Sequence, residues 1–240
     1  MRSIHFNPIA LALYRNFIFF DDFADYGTAK YAATLTDTGT AALVDGIGGI
    51  VQLNPSDGTI ADNDEAYLAT TRECLLIANN KPLTVEARIQ FTEAATNAAN
   101  ILFGVMDAVA ANTLQDNGAG PDANFSGAIF YKIDGETTWR VCYSNGASQT
   151  IVPLTVANSR TKLLYTAGGS AYQTLRIDIY PISSTSCRVE FYIDGVLVYD
   201  IGEASYSAAT EAQMVVGVKN GTAAQQPLNL DYWWAQQVRQ

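Results

Sequence analysis

Two stretches of this 240-residue chain concentrate hard oxygen donors: Asp62-Asn63-Asp64-Glu65, and Asp116-Asn117-Gly118 with Asp122 and Asn124 close behind. Calcium takes about six to eight oxygens from loop carboxylates, amides and carbonyls. Asp62, Asp64, Glu65, Asp116 and Asp122 are therefore the residues that could hold it. Asx and Gly residues build tight turns without any ion, and neither stretch has the spacing of a helix-flanked calcium loop. Hydrolysis of a glycosidic bond needs a different constellation, two carboxylates about 5–10 Å apart. On one strand face that means i, i+2 or i+4. Glu86 has Arg88 two residues on, Asp178 stands alone among hydrophobes, and Glu190 shares a face only with Asp194, which belongs to a turn. The one histidine, His5, lies in an unpatterned N-terminal stretch, which leaves no base for a nucleophilic triad and no histidine-rich zinc site. These residues point away from an enzyme. Sugar stacking would use exposed aromatics beside polar loop groups. Tyr131, Trp139, Tyr143 and Tyr172 are the residues for it if they line a concave sheet. Aromatics are equally at home in strand cores and at protein interfaces.

The elements that must position these groups read as strands. Leu175, Ile177 and Ile179 alternate with Arg176, Asp178 and Tyr180, and Val189, Phe191 and Ile193 alternate with Glu190, Tyr192 and Asp194. A period of two buries one face and wets the other. Asp194-Gly195 between two such runs predicts a tight hairpin, because both turn positions need positive φ. Residues 82–91 alternate in the same way, and Ile101–Met106 is a continuous apolar run that predicts a central strand. Residues 112–127 form a long loop dense in Asn, Asp, Gly and Pro. Further strands are predicted at 17–23, 50–53, 128–133, 139–143, 149–153, 214–218 and 228–234. Helix is limited to a short turn at 208–211 or 107–114. In the last run Trp233 and Trp234 point to opposite faces, so only one can enter a core layer; the other needs a neighbour, which suggests an interface.

Composition bounds the rest. At 48% hydrophobic, the chain can bury an ample core. No linker divides it, so residues 17–240 read as one domain behind an arm at 1–16. The formal charge of −10 repels phosphate backbones and argues against direct nucleic-acid binding. Cys74, Cys142 and Cys187 are odd in number and far apart, with no C-x-x-C, as expected of a chain made in a reducing cytoplasm. Arg2 before Ile9–Leu13 faintly imitates a signal peptide, but Arg15 and Asn16 break the apolar run and no small-residue cleavage site follows. No apolar run is long enough to span a membrane. The arm carries Ile4, Phe6, Ile9, Leu11, Leu13 and Tyr14, an apolar set suited to burial against a partner.

The order of segments adds a resemblance. An opening D-D-F is followed by many strands, then T-L-R-I-D-I, R-V-E-F-Y-I-D-G-V-L-V, M-V-V-G-V-K-N-G and a final L-N-L-D-Y-W-W. Over roughly residues 17–238 this resembles the concanavalin A-like (laminin-G-like) jelly-roll, and implies an all-β antiparallel sandwich. The fold's glycoside hydrolases carry E-x-D-x-x-E or E-x-D-x-E, and neither motif occurs here. Fold alone does not give function. The chain looks like jelly-roll proteins from the structural operons of tailed bacteriophages. That likeness implies a non-enzymatic virion protein, a capsid decoration or cement subunit on the particle surface, made in the host cytoplasm. Its partners would be the major capsid protein or other virion proteins, and it would be a homo-oligomer, with a trimer favoured. The arm together with Trp233 and Trp234 would make the contacts. The alternative is a lectin-like, carbohydrate-binding module on a phage tail, fibre or head, using the four aromatics above. No cofactor is expected, with calcium the one ion the loops could hold.

Overall fold

The computed structural model describes residues 16–239 apart from 57, 94–96, 170 and 207–209. Eighteen strands are present among them. One sheet holds β1 (Asn16–Asp21), β3 (Thr40–Val44), β4 (Ile50–Asn54), β7 (Leu83–Phe91), β14 (Gln173–Pro181), β15 (Ser186–Ile193), β16 (Val196–Ser205) and β18 (Leu228–Val238). The other holds β2 (Tyr31–Leu35), β5 (Glu65–Thr70), β6 (Leu75–Ile77), β8 (Ala99–Met106), β11 (Ser126–Lys132), β12 (Arg140–Asn145), β13 (Gln149–Pro153) and β17 (Thr210–Asn220). A short pair, β9 (Leu114–Gln115) and β10 (Gly120–Pro121), stands apart. The strand orders are β16-β15-β14-β7-β18-β4-β3, with β1 also on β18, and β13-β12-β11-β8-β17-β5-β2, with β6 also on β17. All the pairings are antiparallel.

Alternation builds the sandwich. Leu83, Val85, Ala87, Ile89 and Phe91 of β7 face inward beside Leu175, Ile177 and Ile179 of β14, and meet Phe103, Val105, Phe130, Val216 and Val218 of the opposite sheet in one cluster. The Asp194-Gly195 hairpin has φ of 50° and 77°, the double positive φ its sequence demands. The helical turn falls elsewhere than predicted: it is a 3-10 turn at Asp116–Gly118, while Thr210 and Glu211 already belong to β17. Residues 208 and 209 lie outside the described set. Asn16 is the first residue of β1 and pairs with Val238. The apolar residues Ile4, Phe6, Ile9, Leu11, Leu13 and Tyr14 also lie outside the described residues.

The second sheet has an unusual outer face. Tyr67, Leu102, Ile129, Tyr131, Cys142 and Val215 point away from the main core, yet all are buried, packed with Leu114 and Phe125 in a second cluster. The segment between β8 and β11, residues 107–125, lies over them. Central β8 is therefore buried along all eight residues, as a continuous apolar run requires. Burial pushes the Tyr131 phenol up to about 12. The unfolded chain releases that proton near 10, so between these values the folded state binds the extra proton. Stability is expected to hold below pH 10 and to fall as pH rises toward 12, by up to roughly 2–3 kcal/mol from Tyr131. Denaturant unfolding across that range, followed with tyrosinate absorbance, checks this; a flat profile contradicts it.

Candidate functional site

The two acidic loops come together at the outer face of the second sheet. Asn117 donates its backbone N–H to Asn63 Oδ1 (3.2 Å), and Asn112 donates its own to Glu65 Oε1 (2.8 Å). Asn63 and Asn117 both take left-handed φ (68° and 55°), which Asn tolerates better than most residues. What the loops enclose is an ammonium. Lys219, fully buried, extends from β17 and donates to Asn112 Oδ1 (2.7 Å), the Leu114 carbonyl (3.0 Å) and Asp116 Oδ1 (2.5 Å); Glu65 Oε2 lies 3.3 Å away.

The five acids expected as calcium candidates lie in separate surroundings. Glu65 and Asp116 meet, but around Lys219 Nζ. Asp64 Oδ2 accepts the Ala61 N–H (2.7 Å), a turn role. Asp62 is exposed, and Asp122 lies in a different recess. Among the described residues no three His, Cys, Asp or Glu side chains are grouped to hold a metal.

The recess containing Asp122 is lined by Met106, Asp107, Asn112, Thr113, Asn124 and Phe125 together with alanines 108, 110 and 111. Its frame is tied by short-range bonds. Asp107 Oδ1 accepts the Ser126 N–H (2.8 Å), and the Asp122 N–H donates to the Thr113 carbonyl (3.0 Å). Thr113 Oγ1 both accepts from the Ala110 N–H (3.0 Å) and donates to the Ala110 carbonyl (2.8 Å). Asp122 and Asn124 are exposed, while Phe125 is buried in the second cluster. Carboxylates and amides in a concavity of mixed polar and apolar lining can bind hydroxyls and orient a small polar ligand. Asn124 was singled out from the sequence only as an oxygen donor. The sequence gives no signal for Asp107, Phe125 and Lys219 beyond the polar loop itself, because Asp107 follows β8, Phe125 precedes β11 and Lys219 lies on the distant β17.

The four aromatics do not form a sugar platform. Trp139 and Tyr143 are buried in the main core, Trp139 edge-on to Phe91 and Phe130 at 6.0 and 6.1 Å. They share the parity of Val141, which faces inward on β12. Tyr131 has the outward parity of β11 but is covered by the 107–125 segment. Tyr172 is half-buried on the first sheet, with the Arg88 guanidinium 4.2 Å above its ring. Trp233 is fully buried in the core, which removes it from any partner surface; Trp234 is half-buried on the outer face, opposite Phe20.

One pairing was invisible along a single strand. Asp178 of β14 sits directly across from Glu190 of β15. Each is already engaged. Arg176 and the Tyr180 hydroxyl bind Asp178 (both 3.0 Å), while Arg188 (2.8 Å) and the Tyr192 hydroxyl (2.6 Å) bind Glu190.

No protein-family model matches the chain, and no curated protein matches it in sequence. Solved structures do match in shape. The carbohydrate recognition domain of Emp47p aligns at a TM-score of 0.59 and 13% identity, over 89% of this chain and 91% of that one. The endo-β-1,4-glucuronan lyase of the fungus Trichoderma reesei aligns at 0.60 and 12%, over 92% and 95%. The lectin UEA-II, solved with galactose, aligns at 0.59 and 10%, over 92% and 98%. Likeness at such low identity speaks to architecture alone, and on that basis the chain folds as a concanavalin A-like jelly-roll sandwich.

Proposed function

We propose that this protein is a non-enzymatic, lectin-like module that binds a neutral glycan in the recess formed by Asp107, Asn112, Asp122, Asn124 and Phe125. The observation that carries the reading is the recess itself: exposed carboxylate and amide groups on a segment pinned to the sheet by Lys219. A pinned segment loses little freedom on binding, so contact energy is not spent on ordering it. Two carboxylates at the recess and a net charge of −10 disfavour uronates and other anionic sugars. The engagement of Asp178 and Glu190 by arginines supports the non-enzymatic part, and two of the structures similar in shape are named for carbohydrate recognition or as a lectin.

The test is a glycan array on the intact protein, followed by calorimetric titration of the best ligand. Asp122→Ala and Asn124→Ala are each expected to weaken binding about tenfold or more. Their unfolding midpoints should match the wild type, because both positions are exposed. An array without neutral-glycan hits, or variants that bind as well as the wild type, would sink the reading. The virion-decoration reading rests on the likeness to phage structural jelly-rolls, with the apolar positions at 4–14 as its contacts, and does not depend on the recess. Mass spectrometry of purified particles tests it, and absence of the chain from them overturns it.

A further inference from the structure

We propose that Glu65, Asn112, Asp116 and the Leu114 carbonyl form a cation site whose resident cation is the chain's own Lys219 ammonium, and that truncating Lys219 uncovers a site for a hard divalent ion. The shell consists of four oxygens converging on one buried point. They are Asp116 Oδ1 at 2.5 Å, Asn112 Oδ1 at 2.7 Å, Leu114 O at 3.0 Å and Glu65 Oε2 at 3.3 Å from Nζ. Two carboxylates, an amide oxygen and a carbonyl are the donor types calcium selects. Glu65 is 1% exposed, and its Oε2 makes no hydrogen bond; it faces the ammonium as an ion-pair partner only. Lys219 supplies one positive charge against two negative ones. A divalent ion in its place would balance both.

The consequence is a 107–125 segment held in place without added metal, at whatever calcium concentration the protein meets. Calcium–oxygen distances are about 2.3–2.6 Å, so an ion replacing the ammonium would draw Leu114 O, now 3.0 Å from Nζ, inward by about half an ångström and Glu65 Oε2, now 3.3 Å away, by nearly one. The inference stands apart from glycan binding, since it is read from stability and not from affinity.

The experiment compares thermal midpoints of the wild type, Lys219→Ala and Lys219→Met in EDTA and in millimolar CaCl2. The wild type is expected to be indifferent to both. K219A strips the compensating charge from two carboxylates, and its midpoint in EDTA should fall by roughly 6–20 °C. CaCl2 should recover much of that loss, because an ion that binds only the folded state stabilises it. K219M keeps the stem in the shell; it should be destabilised yet blind to CaCl2. If K219A is insoluble, refolding it in CaCl2 and in EDTA gives the same reading: recovery only with CaCl2 supports the site, and equal recovery, including none, overturns it. A wild type destabilised by EDTA, a K219A that does not respond to CaCl2, or a K219M that responds as K219A does, each overturns the proposal.

Discussion

Replacing Trp233 with alanine is expected to cost about 3–5 kcal/mol, the range for emptying a fully buried large aromatic site. Trp233 is 0% exposed and lies where three elements meet. Its indole is 5.3 Å from the Tyr31 ring, 5.9 Å from Phe23 and 6.1 Å from Phe19, centroid to centroid. It thus ties β1 and β2 to β18, the strand that pairs with β7, β4 and β1. Stability of such domains is about 5–15 kcal/mol, so the loss is a large share of the whole. In a chain of this length it corresponds to a midpoint lowered by roughly 6–20 °C. The neighbouring Trp234→Ala should cost about 1 kcal/mol, because half-buried surface sites away from the core give small effects. Denaturant titration of the two variants settles the order. If Trp234→Ala proves the more damaging, the phase of β18 is inverted and the core described above is wrong.

Gly217→Ala is the second substitution with a large expected effect, and it acts at a distance on the recess. Gly217 of β17 pairs with Tyr67 of β5, and the tyrosine ring lies across the bare glycine. A Cβ at 217 would stand 1.9 Å from Tyr67 Cδ1 and 2.6 Å from Cε1. Tyr67 is itself fully buried, so its ring must shift with no free space to enter. Its hydroxyl accepts the Leu114 N–H at 3.0 Å, one of the bonds that fasten the 107–125 segment to the sheet. Overpacking of this kind costs about 1–3 kcal/mol, and a stranded buried N–H about as much again. The expected result is a lowered midpoint together with faster proteolysis within 107–125 and glycan affinity reduced about tenfold or more. Tyr67→Phe removes the hydroxyl without the clash and should loosen the segment with a smaller fall in midpoint. Unchanged proteolysis in Gly217→Ala would show that the segment does not depend on Tyr67.

Most of the strand inventory was legible in the sequence, and for a local reason. Alternation along β7, β14 and β15 follows from the geometry of a pleated chain, and the Asp194-Gly195 turn follows from φ preferences of two residues. Neither needs knowledge of a distant partner. The charge of −10, the lack of a histidine cluster and the polar character of 112–127 were equally plain.

The site was legible only as a polar loop. Lys219 lies 103 residues from Asp116 and 154 from Glu65 along the chain, and only the pairing of β17 with β5 and β8 brings its ammonium between them. In the sequence the lysine reads as an ordinary charge near a strand end. Asp178 and Glu190 behave alike: along either strand each stands alone, and cross-strand register alone makes them neighbours. Trp139 and Tyr143 read as possible stacking residues because a strand pattern does not say which sheet face is covered.

Trp233 and Trp234 mark the boundary most sharply. By itself, the sequence determined that the closing strand alternates and that one indole alone could enter the core. Strict alternation from Leu228 and Leu230 would send Tyr232 and Trp234 inward. A register shift between Leu230 and Tyr232 reverses the phase, so that Trp233 and Ala235 are buried instead. A bulge adds one residue on one strand opposite its partner, and whether it forms depends on how β18 must fit β7, β4 and β1 together. That fit is a property of packing between segments far apart in the chain, which is why the tertiary structure decided it and local periodicity could not.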